Sequence, residues 1–216
     1  MRDLEKLLME HIDLLIERYP VLENCRQSII EAYLAMEESY AGGGKLLVAG
    51  NGGSAADSEH MVGELMKGFK KARKLDEKYR SKLMGIDQKL GAVLADNLQG
   101  ALPAIALDGH PALTTAYLND CEPVLGFAQQ VNGFGGTGDV FLGISTSGNS
   151  QNVIYAAITA RARGMKVIGL TGQKDSKLKK FADVTVQVPQ TETYMIQELH
   201  LPVYHCWCLM LEDHFF

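Results

Sequence analysis

The chain has 216 residues, enough for one α/β domain with a sizeable core and too few for two full domains. Its composition, 46% hydrophobic and 22% charged, is that of an ordinary globular protein and excludes a disordered or fibrous chain. The net charge of −5 argues against a nucleic-acid-binding surface, although an acidic protein can still hold a local basic pocket.

Charged residues interrupt the leucines of the first fifteen positions, unlike the apolar core of a signal peptide. No uncharged apolar run is long enough to span a bilayer. We therefore expect a cytoplasmic protein that makes no membrane contact. The four cysteines include no C-x-x-C pair, so we predict reduced and mostly buried thiols rather than a zinc knuckle or a redox motif: Cys25, Cys121, Cys206 and Cys208.

Apolar residues at helical spacing predict one helix over residues 2–18, ended by Pro20, and a second helix over about 21–41. Three glycines then end the second helix before the first strand. Two amphipathic helices that precede the sheet have no strand of their own to cover. We therefore predict that residues 1–44 form a helical hairpin that packs on another subunit.

The sequence then passes from a strand through a glycine turn into a helix. Leu46 to Ala49 have the length and composition of a buried strand, and three of the next four residues are glycines. Ser54 follows at the position expected for a helix N-cap. This order directs backbone N–H groups and the positive end of a helix dipole at the turn, which suits a phosphate group. A purely structural turn is an equally good interpretation of the pattern alone.

The helix after this turn carries His60 and Glu64. A spacing of four residues places the two side chains about 40° apart around the helix axis and about 6 Å apart along it. An imidazole and a carboxylate in this arrangement could bind a metal ion or share acid and base roles. Without other evidence, a solvated helix face is the more common explanation of such a pair.

Residues 70–101 form a long charged connection between a helix and a strand, and we treat them as an insertion. The favoured interpretation is a solvated helical excursion. The alternative is a lid that brings a basic side chain to a substrate phosphate. The candidates for that role are Lys67, Lys70, Lys71 and Arg73.

Strands predicted over residues 103–107, 139–144, 166–170 and 183–188 alternate with helices predicted over 111–118, 152–163 and 193–212. This alternation predicts an α/β fold in which 45–216 form a doubly wound, five-stranded parallel sheet. Right-handed crossovers place the turns after the first and third strands at the same carboxyl edge.

The turn after the third strand is rich in hydroxyl groups and opens a helix. Hydroxyl donors and free backbone N–H groups at a helix start can bind a phosphate dianion without a lysine. A plain capped loop needs only one or two such residues, whereas this turn has four: Ser145, Thr146, Ser147 and Ser150.

The last predicted helix contains Gln197, His200 and His205, with Pro202 between them. Because proline removes a backbone hydrogen bond, we expect a kink that lets Gln197 and His205 face one cavity. Each histidine alone is more simply explained as a partly buried core residue.

Taken together, these motifs resemble the sugar isomerase (SIS) domain family and, within it, the phosphoheptose isomerases. The matching segments run in family order from Lys45 to the C-terminus: GNGGSAADSEHMVGEL, YLND, GDVFLGISTSGNSQNVIYA and IQELHLPVYH. The two turns are similar to those of sugar-phosphate SIS domains in general. The isomerase branch is indicated by two pairs, His60 with Glu64 and Gln197 with His205.

The resemblance implies a flavodoxin-like SIS fold, a homotetramer with active sites between subunits, and a zinc ion bound by His60, Glu64, Gln197 and His205. It also implies the isomerisation of sedoheptulose 7-phosphate to D-glycero-D-manno-heptose 7-phosphate through an enediol, with Glu64 as base and His205 as complementary acid and base. The implied substrate contacts are Asn51 and Asp120 on sugar hydroxyls, Gln197, and a phosphate site of Gly52, Gly53, Ser54, Ser145, Thr146, Ser147 and Ser150.

Two alternatives remain at this point. Some SIS relatives are non-catalytic sugar-phosphate sensors or protein-binding scaffolds, and these lack the glutamate and the final histidine. Because Glu64 and His205 are both present here, we favour an enzyme. Isomerisation of a different sugar phosphate is the other alternative.

Overall fold

The computed structural model describes residues 2–216, with side-chain surroundings from residue 6 onward; Met1, part of the predicted hairpin, lies outside the described residues. Within this range the strands are β1 Leu46–Ala49, β2 Ala104–Ala106, β3 Val140–Ile144, β4 Lys166–Thr171 and β5 Val184–Gln187. The α-helices are α1 Arg2–Arg18, α2 Arg26–Ala41, α3 Gly53–Met66, α4 Glu77–Ile86, α5 Gln88–Asn97, α6 Pro111–Asp120, α7 Gly126–Phe134, α8 Gln151–Ala162 and α9 Thr193–Phe215.

The five strands form one parallel sheet in the order β2-β1-β3-β4-β5, which confirms the predicted fold class. The register aligns Val48 of β1 with Leu142 of β3, and Leu142 with Ile168 of β4. Strand order reverses between β1 and β3, because the chain leaves β1 towards β2 and then returns to the other side of β1. In open parallel sheets, ligands bind outside the carboxyl ends of the strands at such a switch point.

Helices cover both faces of the sheet, and each face has its own apolar core. One core contains buried residues of α1, α2, α3 and α9 with alternate residues of the central strands, and the other contains α7 and α8 with the remaining strand residues. Trp207 is fully buried in the first core, where its indole N–H donates to the Ile29 carbonyl at 2.9 Å. The sheet therefore holds α3 and α9, which carry the candidate catalytic residues, on the same face.

Helix α2 covers the sheet of its own chain, so our expectation that the N-terminal helices have no strand to cover is wrong for α2, whereas α1 packs on α9 and α2. Ile29 and Met36 of α2 are fully buried in the first core, and Cys25 donates its thiol hydrogen to the Gln187 carbonyl of β5. The physical reason is that α3 and α9 alone leave part of this face bare. The assignments of residues 1–44 to oligomerisation and of 45–216 to the SIS domain stay predictions.

The insertion after α3 is helical, as the favoured interpretation predicted. It contains α4 and α5, whose N-cap residues are Asp76 and Asp87; each aspartate accepts a hydrogen bond from a backbone N–H of its helix's first turn. Its two ends meet at a bridge between Lys74 and Gln99. The insertion thus leaves the α/β unit and returns to it at nearly the same point.

Three further details differ from the predictions or complete them. The second predicted helix begins as a separate 3-10 helix over Pro20–Cys25. Helix α7 was not predicted, because two glycines and an asparagine in nine residues give its sequence little helical preference, and burial of Val131 against the sheet stabilises it. Of the four free cysteines, Cys121 is exposed and the other three are buried, in agreement with mostly buried thiols.

Candidate active site

The turn after β1 places glycine where the backbone requires it. Gly52 has a φ of 58°, a left-handed conformation that residues with a side chain rarely adopt. Helix α3 begins at the next residue, so Ser54 lies inside the first turn and is not the N-cap that we predicted. With Gly52 as its N-cap residue, the helix starts two residues earlier than a Ser54 N-cap would place it. The Ser54 side chain is buried close to the free N–H groups at the start of α3.

The turn after β3 is closed by its own polar groups. Gly148 has a φ of 62° and packs against Ser176, where an added side chain would collide. The hydroxyl oxygens of Ser145 and Ser150 lie 3.0 Å apart, and Ser150 is the N-cap residue of α8. Ser147 accepts a hydrogen bond from the backbone N–H of Asn149. These contacts arrange the hydroxyl groups at the start of α8, the geometry that suits an anion.

The two turns meet at the switch point of the sheet. The side-chain amides of Asn51, in the first turn, and Asn152, at the start of α8, exchange hydrogen bonds of 2.8 and 3.0 Å. The structure therefore brings together the predicted residues Asn51 to Ser54 and Ser145 to Ser150. The N-termini of α3 and α8 both open here, so their dipoles favour a bound anion.

A second cluster of predicted residues lies further along α3, where that helix packs on α9. His60 Nε2 lies 3.4 Å from one carboxylate oxygen of Glu64, and the other carboxylate oxygen of Glu64 accepts from Lys67 at 3.0 Å. The Glu64 side chain is only 14% exposed, whereas that of His60 is 44% exposed. This pair is therefore more than a solvated helix face, because its carboxylate is largely removed from water.

His205 of α9 completes this cluster. Its ring centre lies 5.0 Å from that of His60, and the two rings are nearly perpendicular. Burial lowers the pKa of His205, and the nearby His60 and Arg18 lower it further, against the opposing charge of Glu64. Its Nε2 is buried without a hydrogen-bond partner among the described residues. His205 also lines a cleft of about 550 Å³ between α1 and α9, beside His11 and Arg18.

Two residues that the sequence analysis did not single out belong to this cluster. The Tyr204 hydroxyl lies 3.0 Å from His60 Nδ1 and donates to Asp57 at 3.2 Å. Burial raises the pKa of Asp57, an effect that the bond from Tyr204 partly opposes. The spacing of three residues between Asp57 and His60 placed both on one face of α3, which is the only sequence signal for Asp57. Nothing in the sequence linked Tyr204 to α3.

Gln197 lies apart from the other three residues of the implied zinc set. Its side-chain amide packs against Gly53, at the first residue of α3. Seven residues separate Gly53 from His60, about 10 Å along the helix. Helix α9 continues through Pro202 as one α-helix. Within one chain, therefore, the proline does not bring Gln197 and His205 to a common cavity as we expected.

The remaining candidates lie outside both clusters. Asp120, at the end of α6, is exposed and accepts a hydrogen bond from Asn119 at 2.8 Å. Arg73, a candidate for the lid, is 1% exposed and its Nε donates to Glu212 at 2.8 Å. The lid interpretation is therefore wrong for Arg73, because its guanidinium is committed to a buried ion pair. Its other nitrogens donate to the Glu64 and Leu65 carbonyls, at the end of α3.

The donor chemistry of the second cluster suits a zinc ion. Two ligands that bind one zinc ion tetrahedrally at about 2.0–2.2 Å lie about 3.4 Å apart, which equals the separation between His60 Nε2 and Glu64 Oε1. Among the described residues, however, no three His, Cys, Asp or Glu side chains are close enough to hold a metal ion together. The His60–Glu64 pair thus fits two ligand positions of such a site.

Comparison with known proteins places this geometry in a family. The chain is 36% identical to the phosphoheptose isomerase of Nitratiruptor sp. over 212 residues, which cover 98% of both proteins. The chain belongs to the phosphoheptose isomerase family. It is also 36% identical to the phosphoheptose isomerase of Rhodospirillum rubrum, with 89% of this chain and 88% of that protein covered. The family model described as SIS domain matches residues 91–172, which include the turn after β3.

Solved structures of phosphoheptose isomerases have the same fold. The enzyme from Neisseria gonorrhoeae superposes with a TM-score of 0.72 at 31% identity, covering 97% of this chain and 98% of that one. The enzyme from Francisella tularensis gives a TM-score of 0.70 at 29% identity, with 98% and 97% covered. No helix among the described residues combines the length and the apolar character that crossing a membrane requires.

Proposed function

We propose that this protein interconverts sedoheptulose 7-phosphate and D-glycero-D-manno-heptose 7-phosphate. The relatives that match nearly its whole length are named phosphoheptose isomerases. The observation that carries the proposal is the cluster in which His60 lies between Glu64 and His205, because a ketose–aldose isomerisation needs a carboxylate base and a second proton carrier.

The proposed reaction moves one proton between carbons and one between oxygens. Glu64 removes a proton from C1 of the ketose, which gives a 1,2-enediol, and returns the proton at C2. His205 donates a proton to O2 and accepts one from O1, so that no net charge accumulates. Its lowered pKa suits this role, because a neutral imidazole can donate from one nitrogen and accept at the other. The hydroxyl groups and helix N-termini at the two turns bind the phosphate.

A zinc ion belongs to this proposal as an electrophile. When bound, it polarises the substrate carbonyl and stabilises negative charge on the enediol oxygens. His60 and Glu64 are the two ligands that the described geometry supports most directly. His205 and Gln197 are the other two ligands that the family resemblance implies; within one chain, the described residues do not bring His205 close enough to share a metal ion with His60 and Glu64.

The spacing along α3 supports an active site formed between subunits. Ser54 and Glu64 are ten residues apart, about 15 Å along the helix axis. Gln197 lies with the phosphate turns, at the opposite end of α3 from Glu64. We infer that the turns and Gln197 of one subunit meet His60, Glu64 and His205 of another, in a homotetramer. Sedimentation equilibrium tests the assembly; the cytoplasmic location stays a prediction.

The deciding experiment is turnover of sedoheptulose 7-phosphate by the purified protein, with added zinc and with a chelator. Fructose 6-phosphate serves as the control ketose. Turnover restricted to the heptulose, and lost on chelation, is the expected result. Turnover that survives complete removal of metal would contradict the zinc assignment. No turnover of either sugar, with phosphate still bound, would contradict the isomerase proposal and favour a sugar-phosphate sensor or a protein-binding scaffold.

A further inference from the structure

Tyr204 connects a carboxylate on α3 to an imidazole on the same helix. Its side chain is fully buried between α3 and α9, so its hydroxyl must find partners within the protein. The hydroxyl oxygen lies 3.2 Å from Asp57 Oδ1 and 3.0 Å from His60 Nδ1. Asp57 Oδ2 has no hydrogen-bond partner among the described residues, which makes Tyr204 the principal donor to this carboxylate.

The direction of these hydrogen bonds follows from the number of protons available. A phenol has one hydrogen to donate, and an ionised carboxylate can only accept. Because Tyr204 donates its hydrogen to Asp57, its oxygen is the acceptor in the contact with His60. The proton of that contact must then lie on His60 Nδ1. A neutral His60 ring with a proton on Nδ1 carries a free lone pair on Nε2.

We propose that Tyr204 and Asp57 are positioning residues that hold His60 in its Nδ1–H tautomer, with the Nε2 lone pair presented beside Glu64. The consequence for metal binding rests on the zinc part of the proposed function. Outer hydrogen-bond partners of this kind orient a ligating imidazole and fix which nitrogen is free.

The contact between His60 and Glu64 supports this assignment. A protonated Nε2 that donated to the carboxylate would form a short charge-assisted hydrogen bond of about 2.7–2.9 Å. The observed separation of 3.4 Å is longer than that and equals the spacing of two ligands on a common zinc ion. The perpendicular packing of the His60, Tyr204 and His205 rings restricts rotation of the imidazole away from this position.

The tautomer can be measured without metal and without substrate. Metal-free protein labelled with ¹⁵N-histidine is recorded in a long-range ¹H–¹⁵N correlation experiment at about pH 8.5, and His60→Gln identifies the His60 signals. We expect a protonated Nδ1 and an unprotonated Nε2. A proton on Nε2 would overturn the proposal. In Tyr204→Phe, which cannot accept from His60, we expect loss of the Nδ1–H preference.

The zinc affinity of the protein is a second test of the positioning role. Competition with a chromophoric chelator measures this affinity. Removal of an outer partner of a ligating histidine typically weakens metal binding by about 10–100-fold, and we expect this loss in Tyr204→Phe. The matched control is Tyr33→Phe, because the buried Tyr33 hydroxyl also contacts a histidine, His214 Nδ1 at 3.1 Å, away from this cluster. We expect it to change the affinity by less than about threefold.

The two readouts separate the possible failures. Equal losses of zinc affinity in Tyr204→Phe and Tyr33→Phe would indicate general loosening of the fold and would overturn the positioning role. Unchanged affinity in Tyr204→Phe would overturn it as well. If the unmodified protein binds no zinc but His60 shows the Nδ1–H tautomer, the zinc part of the proposed function fails while the tautomer assignment stands.

Discussion

The two ends of α3 contribute to the candidate site by different physical means. The N-terminal end offers backbone N–H groups, a helix dipole and the Gly52 turn, all produced by residues adjacent in sequence. The other end offers the side chains of His60 and Glu64, whose surroundings come from the insertion residue Arg73 and from α9, which lies far away along the chain. Anion binding can therefore be encoded locally, whereas the proposed proton transfer depends on tertiary packing.

The largest effect is expected from Glu64→Gln, which removes the proposed base and nearly preserves the shape of the side chain. Loss of a positioned general base typically lowers the rate by about 10²–10⁴-fold. We expect kcat to fall by this factor while phosphate binding at the opposite end of α3 is largely retained. Steady-state kinetics and calorimetric binding of the product measure the two quantities. Full activity in this variant would show that Glu64 is not the base.

Arg73→Met tests how the C-terminal end of α3 is held. Burial by itself raises the pKa of Glu212, but hydrogen bonds from Phe69, Lys70 and Arg73 hold it below its usual value, so this carboxylate is charged and buried. Removing the partner of such a charge typically costs about 3–5 kcal/mol. We expect a loss of this size in denaturant unfolding.

The matched control for Arg73→Met is Arg80→Met, whose partners Glu77 and Asp96 are exposed. Exposed ion pairs contribute about 0–1 kcal/mol. Similar losses of unfolding free energy in the two variants would contradict a special role for the buried pair at the end of α3.

His200 lies on α9 between Gln197 and His205. Its burial makes the free energy of unfolding depend on pH. It is fully buried, and burial lowers its pKa from 6.5 to about 4, an effect that the nearby Thr171 carbonyl opposes. Below about pH 6.5 the unfolded chain therefore binds more protons than the folded one, so the free energy of unfolding falls as the pH falls towards about 4. Between pH 7.5 and pH 5 this single group should cost about 2 kcal/mol.

His200→Gln removes this contribution. From pH 7.5 to pH 5, we therefore expect the free energy of unfolding of the variant to fall by about 2 kcal/mol less than that of the unmodified protein. Urea unfolding at the two pH values measures the difference. His11→Gln, which leaves His200 in place, is the control. An unchanged pH dependence in the His200 variant would show that this histidine is already protonated in the folded state or is not buried.

An effect on turnover smaller than that of Glu64→Gln is expected at the phosphate end, from Ser150→Ala. This change removes one hydroxyl from the turn after β3 and leaves the backbone donors and both helix dipoles. Loss of one hydrogen bond to a charged group typically costs about 1.5–3 kcal/mol, so we expect KM to rise at least about tenfold with kcat changed much less. Thr159→Ala removes a hydroxyl from the same helix, α8, where it donates to the Tyr155 carbonyl, and should leave KM unchanged.

Much of the fold could be predicted from the sequence because each signal is local. The buried strands are short apolar runs, and the β1 and β3 turns follow them directly; right-handed crossovers then bring the two turns to one edge. Helix α7 escaped prediction because its stability comes from burial of Val131 rather than from its own helical preference. The covering role of α2 also could not be predicted, since it depends on how much of the sheet the later helices leave bare.

The sequence by itself determined the residues that can perform the chemistry: hydroxyl-rich turns at two helix starts, and a histidine and a carboxylate four positions apart on one helix. Only the tertiary structure decided which of them meet. It placed His205 beside His60, kept Gln197 at the far end of α3, buried Arg73 against Glu212, and brought Tyr204 between Asp57 and His60. The physical reason is that these contacts join residues more than a hundred positions apart, and side-chain packing between helices, which no local pattern records, sets their distances.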